Sequence, residues 1–199
     1  MPPSTFMQIA ASQVGTDGSS IAESSPNPKA ADPFDVGGGN VNPNKAVDPG
    51  LIYNISTDDY VEFLCSIGYS SASITTLIKT TIDCTKKSHF GQNLNLPSIT
   101  IPNLQKTIIV TRTVTNVGPV TSVYKVVVQA PFGITMTVKP QTLSFNVTTQ
   151  ILSFKVTFFS TSKLNGDYKF GSLTWTDGKH LVRIPIAVRA IKFESYADL

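Results

Sequence analysis

The chain has 199 residues, of which 41% are hydrophobic and 15% are charged. This composition excludes a wholly disordered chain, because it provides enough apolar side chains to form a core. The formal net charge of +3 is uneven, with −6 on residues 1–62 and +9 on residues 63–199. The basic residues are scattered rather than concentrated in a patch, so nucleic acid is not expected as a partner.

Neither an export signal nor a membrane span is predicted. The N-terminus lacks the basic start and the apolar core of a signal peptide, and no apolar run approaches the ~20 residues of a membrane span. Two sequons make Asn54 and Asn146 candidate glycosylation sites. With the two cysteines they indicate a secreted context, in which case we expect the export signal to be missing from this sequence.

Residues 1–50 are expected to be largely irregular. They hold seven of the thirteen prolines and six of the thirteen glycines, and no helical or strand period persists in them. The glycine run at 37–39 is not followed by the Gly-Lys-Ser/Thr of a phosphate-binding loop. It therefore indicates a turn or a close approach of two backbones.

Residues 56–80 predict a short αα-hairpin. Ser56 and Asp59 have the spacing of a capping box at the start of the first helix, and Gly68 is expected to end it. Apolar side chains recur at helical spacing and predict one buried stripe on each helix. These are Tyr60, Phe63, Leu64 and Ile67 in the first helix, and Ile74, Leu77 and Ile78 in the second.

The two cysteines leave two interpretations open. A disulfide between Cys65 and Cys84 would close a loop of about twenty residues and stabilise the hairpin by about 3 kcal/mol. The alternative is a pair of buried free thiols. An oxidising compartment favours the disulfide.

From residue 91 onward the sequence predicts an antiparallel β-sandwich, so the fold class is mainly β. Turn signals separate seven or eight runs in which apolar and polar residues alternate, which fits a fibronectin type III-like sandwich. In the run that ends at Asn116, Arg112 interrupts an otherwise apolar face. The strongest apolar face is predicted for Leu152, Phe154, Val156 and Phe158. Leu143 and Phe145 share a face, which points Asn146 outward.

Four smaller predictions concern the last strands. Asn165 and the glycine after it form a turn, and Gly171 marks a bulge. Pro185 has no N–H to donate, which places the last strand at a sheet edge. His180, beside the Asp177-Gly178 hairpin signal, is expected to be a surface histidine.

No constellation of residues predicts catalysis. His89, His180 and Cys84 do not complete a ligand set, so no metal and no cofactor are expected. A Gly-x-Ser-x-Gly nucleophile motif is also missing from the sequence.

An ordered set of short segments runs through the chain and includes ADPFDVGGG at 31–39, DPGLIY at 48–53, FLCSIGY at 63–69, NLPSI at 95–99, RTVTNVG at 112–118 and FGSLTW at 170–175. Together these segments resemble the C-terminal part of plant subtilisin-like serine proteases, the subtilases. They follow the order and spacing of the family over roughly residues 20–199.

The resemblance implies a division into two domains. Residues 1–90 would be the end of a peptidase domain, and residues 91–199 a fibronectin type III-like domain that packs against it and supports its folding and activity. The resemblance also implies a disulfide between Cys65 and Cys84 and a location in the extracellular cell wall space. The expected partner is the peptidase domain, most of which this sequence lacks.

The resemblance further implies that this chain is inactive by itself. The family's catalytic Asp, His and Ser and its oxyanion-hole Asn all lie upstream of the position matched by Ala31. Asp17 and Ser19 lie too far downstream in the family's order to replace them, so no catalytic residue is predicted.

Three hypotheses follow for the function. The first is a truncated product, or a gene-model fragment, of a subtilase. The second is a stand-alone β-sandwich module that binds or regulates intact subtilases. The third is an enzyme with an unrelated site, which no constellation supports.

Overall fold

The computed structural model describes residues 11–14, 21, 29–86, 93–160 and 166–191. Within these ranges, nine strands form two sheets. Two of the four short α-helices precede the first strand, and the other two lie between the first and the second strand. The mainly β fold with a fibronectin type III-like sandwich is therefore confirmed. The predicted turn at Asn165, and His89, Asp17 and Ser19, lie outside the described residues.

The two sheets have different strand orders. The first has the order β1-β3-β7-β5, with β1 Leu51–Ile52, β3 Thr107–Asn116, β7 Ile151–Ser160 and β5 Ile134–Lys139. The second has the order β2-β9-β8-β4-β6, with β2 Ile99–Leu104, β9 Leu181–Ala190, β8 Lys169–Thr176, β4 Ser122–Gln129 and β6 Thr142–Phe145. β2 runs parallel to β9, and the other pairs are antiparallel.

The core lies between the sheets and follows the predicted alternation. Phe154, Val156 and Phe158 are buried along β7, as expected for the strongest apolar face, and the rings of Phe154 and Trp175 meet edge to face at 5.1 Å. Burying such side chains is the main driving force for a sandwich. Together they connect the first sheet to the second.

β1 adds a part of the chain that precedes residue 91 to this core. It pairs with the end of β3, with Leu51 opposite Asn116. Leu51, Ile52 and Tyr53 are buried in the same hydrophobic cluster as the sandwich strands. The domain boundary at residue 90 stays a prediction, but residues 51–53, which precede it, are part of the sandwich core.

Arg112 lies on the buried face of β3 and is only 4% exposed. Its guanidinium donates hydrogen bonds to the carbonyl oxygens of Leu96, Ser98 and Thr111. Burial lowers the pKa of Arg112 to about 10. The interruption in the apolar pattern is thus a side chain that ties the segment before β2 to the sandwich.

Asparagine side chains bind the backbone of β3 on the edge that β1 leaves open. The Asn95 carboxamide accepts from the N–H of Thr113 and donates to its carbonyl, both at 2.8 Å, and it also donates to the Asn54 carbonyl at 3.0 Å. Asn93 accepts from the N–H of Thr111 at 2.9 Å. These amides satisfy backbone groups that a neighbouring strand would otherwise pair.

The helices are α1 Pro33–Val36, α2 Pro43–Val47, α3 Thr57–Ser66 and α4 Ser71–Ile78. The first two lie inside the segment expected to be largely irregular. Each has a side chain at its N-cap, Asp32 or Asn42, followed at once by a proline. Both features favour a helix start even in a sequence rich in turn residues.

The predicted capping box is present at α3. The Ser56 hydroxyl accepts from the N–H of Asp59, and the Asp59 carboxylate accepts from the N–H of Ser56. The structure also joins Cys65 and Cys84 in a disulfide with a Cα–Cα distance of 5.3 Å. α3 ends at Ser66, two residues before Gly68.

The predicted apolar stripes of the hairpin are right for Ile74 and wrong for Tyr60, Ile67 and Leu77, which are exposed. Val61 and Ile74 are the buried residues of α3 and α4, whereas Ile67 is 54% exposed and Leu77 is 70% exposed. The two helices pack chiefly on each other. Each stripe therefore keeps an exposed part within the described residues, whereas Phe63, Leu64 and Ile78 are half-buried.

Two predictions about the last strands are also wrong. β8 pairs with β9 through Gly171 without a shift in register, so there is no bulge. A Cβ atom at Gly171 would instead clash with the Gln129 carbonyl. β9 is an interior strand, and it accommodates Pro185 because β2 pairs with it only from Ile186 onward.

We expect Arg112→Leu to lower the free energy of unfolding by about 2–4 kcal/mol, because buried carbonyl groups lose a charged donor. Urea unfolding followed by the fluorescence of the single, buried Trp175 measures the change. Lys155→Met, an exposed cation on the neighbouring strand β7, is the control and should change stability by less than about 0.5 kcal/mol. Equal effects of the two substitutions would contradict this role of Arg112.

Candidate functional site

A group of polar side chains surrounds the place where the chain enters β1. We call Asp48, Gly50, Tyr124, Asp177 and His180 the junction cluster. Asp48 and Gly50 precede β1, Tyr124 lies on β4, and the other two lie in the turn between β8 and β9. The cluster therefore connects the segment before the sandwich to the second sheet.

Gly50 fits a position that no other residue could occupy without strain. Its φ is +76°, and a Cβ atom would lie 2.6 Å from the Tyr124 hydroxyl and 2.8 Å from Cγ of His180. Its carbonyl oxygen accepts from the N–H groups of Val117 and Gly118, at 2.9 and 3.1 Å. The turn after β3 thus holds one side of Gly50 while two rings close the other.

Asn116 shapes that turn. Its side chain donates to the carbonyl of Pro119 at 2.7 Å and to Oε1 of Gln150 at 2.9 Å, and accepts from the N–H of Gly118 at 3.2 Å. Asn116 is only 6% exposed. The TNVG segment of the sequence therefore forms the turn that holds Gly50.

The prediction that His180 is a surface histidine is wrong. His180 is 6% exposed, and its Nδ1 lies 2.7 Å from Oδ2 of Asp177 and 3.4 Å from the Tyr124 hydroxyl. Its Nε2 lies 3.1 Å from Oδ1 of Asp48, an ion-pair separation without hydrogen-bond geometry. Asp177 is a neighbour that the sequence shows, but Asp48 is far away in the chain.

The ionisable side chains of the junction cluster shift one another's pKa values toward the charged forms. Burial alone would lower the pKa of His180, but the hydrogen bond to Asp177 and the nearby carboxylate of Asp48 raise it above its usual value. Burial opposes the charge of Asp177 as well, yet N–H groups of His180 and Lys179 lower its pKa to about 2. Lys179, 2.6 Å away, and His180 lower the pKa of Asp48. The arrangement favours a protonated imidazole between two carboxylates.

This arrangement is not suited to catalysis. A histidine that acts as a general base needs one ring nitrogen free to face a nucleophile. Here both nitrogens face carboxylates, and the hydroxyl nearest to the ring belongs to a buried tyrosine. The cluster instead connects Asp48 to the turn between β8 and β9 through ion pairs.

Across the described ranges, no group of three or more His, Cys, Asp or Glu side chains is placed to hold a metal ion. No helix in the same ranges is long and apolar enough to cross a membrane.

Both predicted glycosylation sites lie on the surface. Asn54 is exposed just before α3, and Asn146 is exposed in the turn between β6 and β7. Oδ1 of Asn146 accepts from the N–H groups of Thr148 and Thr149, both at 2.9 Å. Glycosylation at these positions stays a prediction.

The chain is similar to known proteins in two ways. Residues 93–188 match the model of a family described as "Fibronectin type-III domain". Subtilisin-like protease SBT3.6 of Arabidopsis thaliana is 52% identical over 178 residues, which are 89% of this chain and 23% of that protein. Subtilisin-like protease SBT3.11 of the same plant is 56% identical over 163 residues, 81% of this chain and 21% of that protein. The chain thus spans about a quarter of these relatives.

Similarity to solved structures is weak. The crystal structure of the Pseudomonas aeruginosa CupB2 chaperone aligns with 47% of this chain and 53% of that chain, with a TM-score of 0.38 and 10% identity. A similarity at this level carries no argument about function.

We expect Gly50→Ala to lower the free energy of unfolding by at least about 3 kcal/mol, because it adds a steric clash to an unfavourable backbone angle. Gly68→Ala is the matched control, since Gly68 has a φ of +95° but no atom near its would-be Cβ. It should lower stability by only about 1–2 kcal/mol. Denaturant unfolding of both variants compares them, and equal losses would mean that the contacts with Tyr124 and His180 are unimportant.

Because the pKa of His180 is raised in the folded state, its contribution to stability is complete below about pH 6.5 and is lost as the pH rises through the folded pKa. We therefore expect His180→Gln to reduce stability more at about pH 5.5 than at about pH 8.5. Asp48→Asn should weaken this pH dependence in the otherwise unchanged chain. Thermal unfolding across this range measures both effects, and a larger loss at high pH would contradict the assignment.

Proposed function

We propose that this chain is the non-catalytic C-terminal portion of a subtilisin-like protease, because it belongs to the plant family of these proteases. In this role the sandwich supports the folding and activity of the peptidase domain, and the chain by itself does not cleave peptides. The proposal also places the protein outside the cell, as the resemblance to exported subtilases implies.

The observation that carries the proposal is the way in which residues 48–53 enter the sandwich. By resemblance these residues belong to the end of the peptidase domain, yet β1 pairs with β3 and Tyr53 is fully buried among sandwich residues. Gly50 is enclosed between the turn after β3 and His180. A peptidase domain that ends in this segment would share a hydrophobic core with the sandwich, which supports mutual stabilisation.

The exposed face of the helical hairpin gives further support. Tyr60, Ile67, Tyr69 and Leu77 are between 42% and 70% exposed. Apolar side chains grouped on one short hairpin are typical of a surface that packs against another part of a protein. The peptidase domain is the partner that the family relationship supplies.

The chemistry of the junction cluster supports the proposal that the chain by itself does not cleave peptides. Its histidine is held between two carboxylates, and no serine or cysteine hydroxyl or thiol contacts its ring in the part of the chain that the structure describes. Peptide hydrolysis of the serine type needs a nucleophile, a base and an oxyanion hole together.

A chimaera tests the supporting role. The segment of Subtilisin-like protease SBT3.6 that matches this chain is replaced by this chain, and the secreted protein is compared with the same relative truncated before that segment. We expect the chimaera to be secreted and to cleave a fluorogenic peptide, and the truncated protein to lose at least about tenfold in secreted activity, since an uncovered core destabilises its remainder.

Matched variants sharpen this test. Gly50→Ala in the chimaera should reduce its thermal stability more than Gly68→Ala does. Equal activity of the truncated protein and the chimaera would refute the supporting role. Labelling of the isolated chain by a serine-reactive fluorophosphonate would refute the non-catalytic assignment, and its binding to intact SBT3.6 would favour the stand-alone module instead.

A further inference from the structure

A cavity of about 400 Å³ lies between α1 and the outer face of the second sheet. Its walls come from both parts of the proposed assembly. Asp32 and Val36 lie on the side of α1, and Gln129, Phe170 and Arg183 lie on the side of the sandwich. The cavity therefore lies where the segment that resembles a peptidase domain meets the sandwich.

Arg183 places a positive charge in this cavity. It lies on β9 between Val182 and Ile184, which point into the core, so its own side chain leaves the sheet on the outer face. Its Nη1 atom is buried and has no hydrogen-bond partner in the described part of the chain. Burial lowers the pKa of the Arg183 guanidinium. A buried donor without an acceptor destabilises the chain that carries it.

Arg112 shows how this chain satisfies a guanidinium that serves the fold. That side chain donates to carbonyl oxygens of Leu96, Ser98 and Thr111. Arg183, on the opposite sheet, has no equivalent set of backbone acceptors around Nη1. The difference indicates that the acceptor for Arg183 comes from outside the described residues.

The acidic residues of α1 do not fill this role. The Asp32 carboxylate accepts from Lys29 at 2.8 Å and from the N–H of Phe34 at 2.8 Å. Asp35 accepts from the N–H of Asp32 at 2.8 Å and lies 3.2 Å from Lys29. Both carboxylates are thus engaged in the cap of α1 and with Lys29, so neither of them serves as the anion for Arg183 within the described residues.

We propose that the cavity receives a carboxylate side chain of the peptidase domain, which pairs with Arg183. This inference rests on the proposed function. A carboxylate matches the planar fork of a guanidinium and forms a strong, charge-assisted pair with it. The peptidase domain is the source because residues 31–33 line the cavity and resemble the end of that domain, so the remainder of the domain lies beside this opening.

The proposal predicts opposite effects in the isolated chain and in the assembled protease. In the isolated chain, Arg183→Met removes a desolvated and unpaired charge, so the midpoint of thermal unfolding should stay the same or rise by about 1–3 °C. In the chimaera with SBT3.6, the same substitution leaves a buried carboxylate unpaired. The secreted activity should then fall at least about tenfold, with an unchanged KM for the peptide.

Three further variants separate charge pairing from general damage. Arg183→Lys should retain part of the activity of the chimaera, and Arg183→Glu should be worse than Arg183→Met because two carboxylates repel each other. Lys125→Met removes an exposed cation from the outer face of the same sheet and should leave the chimaera unchanged.

The outcomes are distinguishable. An inactive unsubstituted chimaera, no better than the truncated relative, refutes the proposed function. A chimaera that is active with Arg183 and equally active with Met or Glu at that position refutes the carboxylate pair alone. A fall of more than about 4 °C in the unfolding midpoint of the isolated Arg183→Met chain also refutes it, because Arg183 would then already make its stabilising contacts within the chain.

Discussion

The structure depends on the close contact of the Gly50 backbone with two rings of the second sheet. With no side chain at this position, the chain passes between the turn after β3 and the pair formed by Tyr124 and His180. That passage sets the register of β1 on β3 and places Leu51 and Tyr53 in the core. A larger residue would push the segment away from the sandwich and expose the side chains that follow it.

Buried polar side chains hold the irregular segments around this contact. Asn116 forms the turn that binds Gly50, Asn95 pairs with the backbone of β3, and Arg112 binds the carbonyls before β2. Each one satisfies backbone groups that a strand or a helix would otherwise satisfy. Side chains of this kind define one conformation for loops that have little apolar surface of their own, which is why the segment before β1 is held in a fixed place on the sandwich.

Buried charged side chains and exposed apolar side chains of this chain differ in how well they are partnered. Arg112 is buried and hydrogen-bonded to carbonyl oxygens, and His180 is buried between two carboxylates, so both side chains have their partners within the chain. Within the residues that the structure describes, the hairpin instead leaves apolar side chains exposed, and Nη1 of Arg183 has no acceptor. These two features lie in or beside the segments that resemble a peptidase domain. They are what a supporting sandwich would present to the domain that it supports.

The amino-acid sequence by itself determined the sandwich, the buried face of β7, the capping box of α3 and the family. These features depend on local periods, on residues three apart, or on short motifs that can be recognised in order. Only the tertiary structure decided that His180 is buried, that β9 is an interior strand despite Pro185, and that Leu77 stays exposed. Each of these depends on which distant segment lies opposite, such as Asp48 at His180 or β2 beside β9. A sequence pattern states how a residue is spaced from its neighbours, whereas burial and charge matching depend on partners that the chain brings together only when it folds.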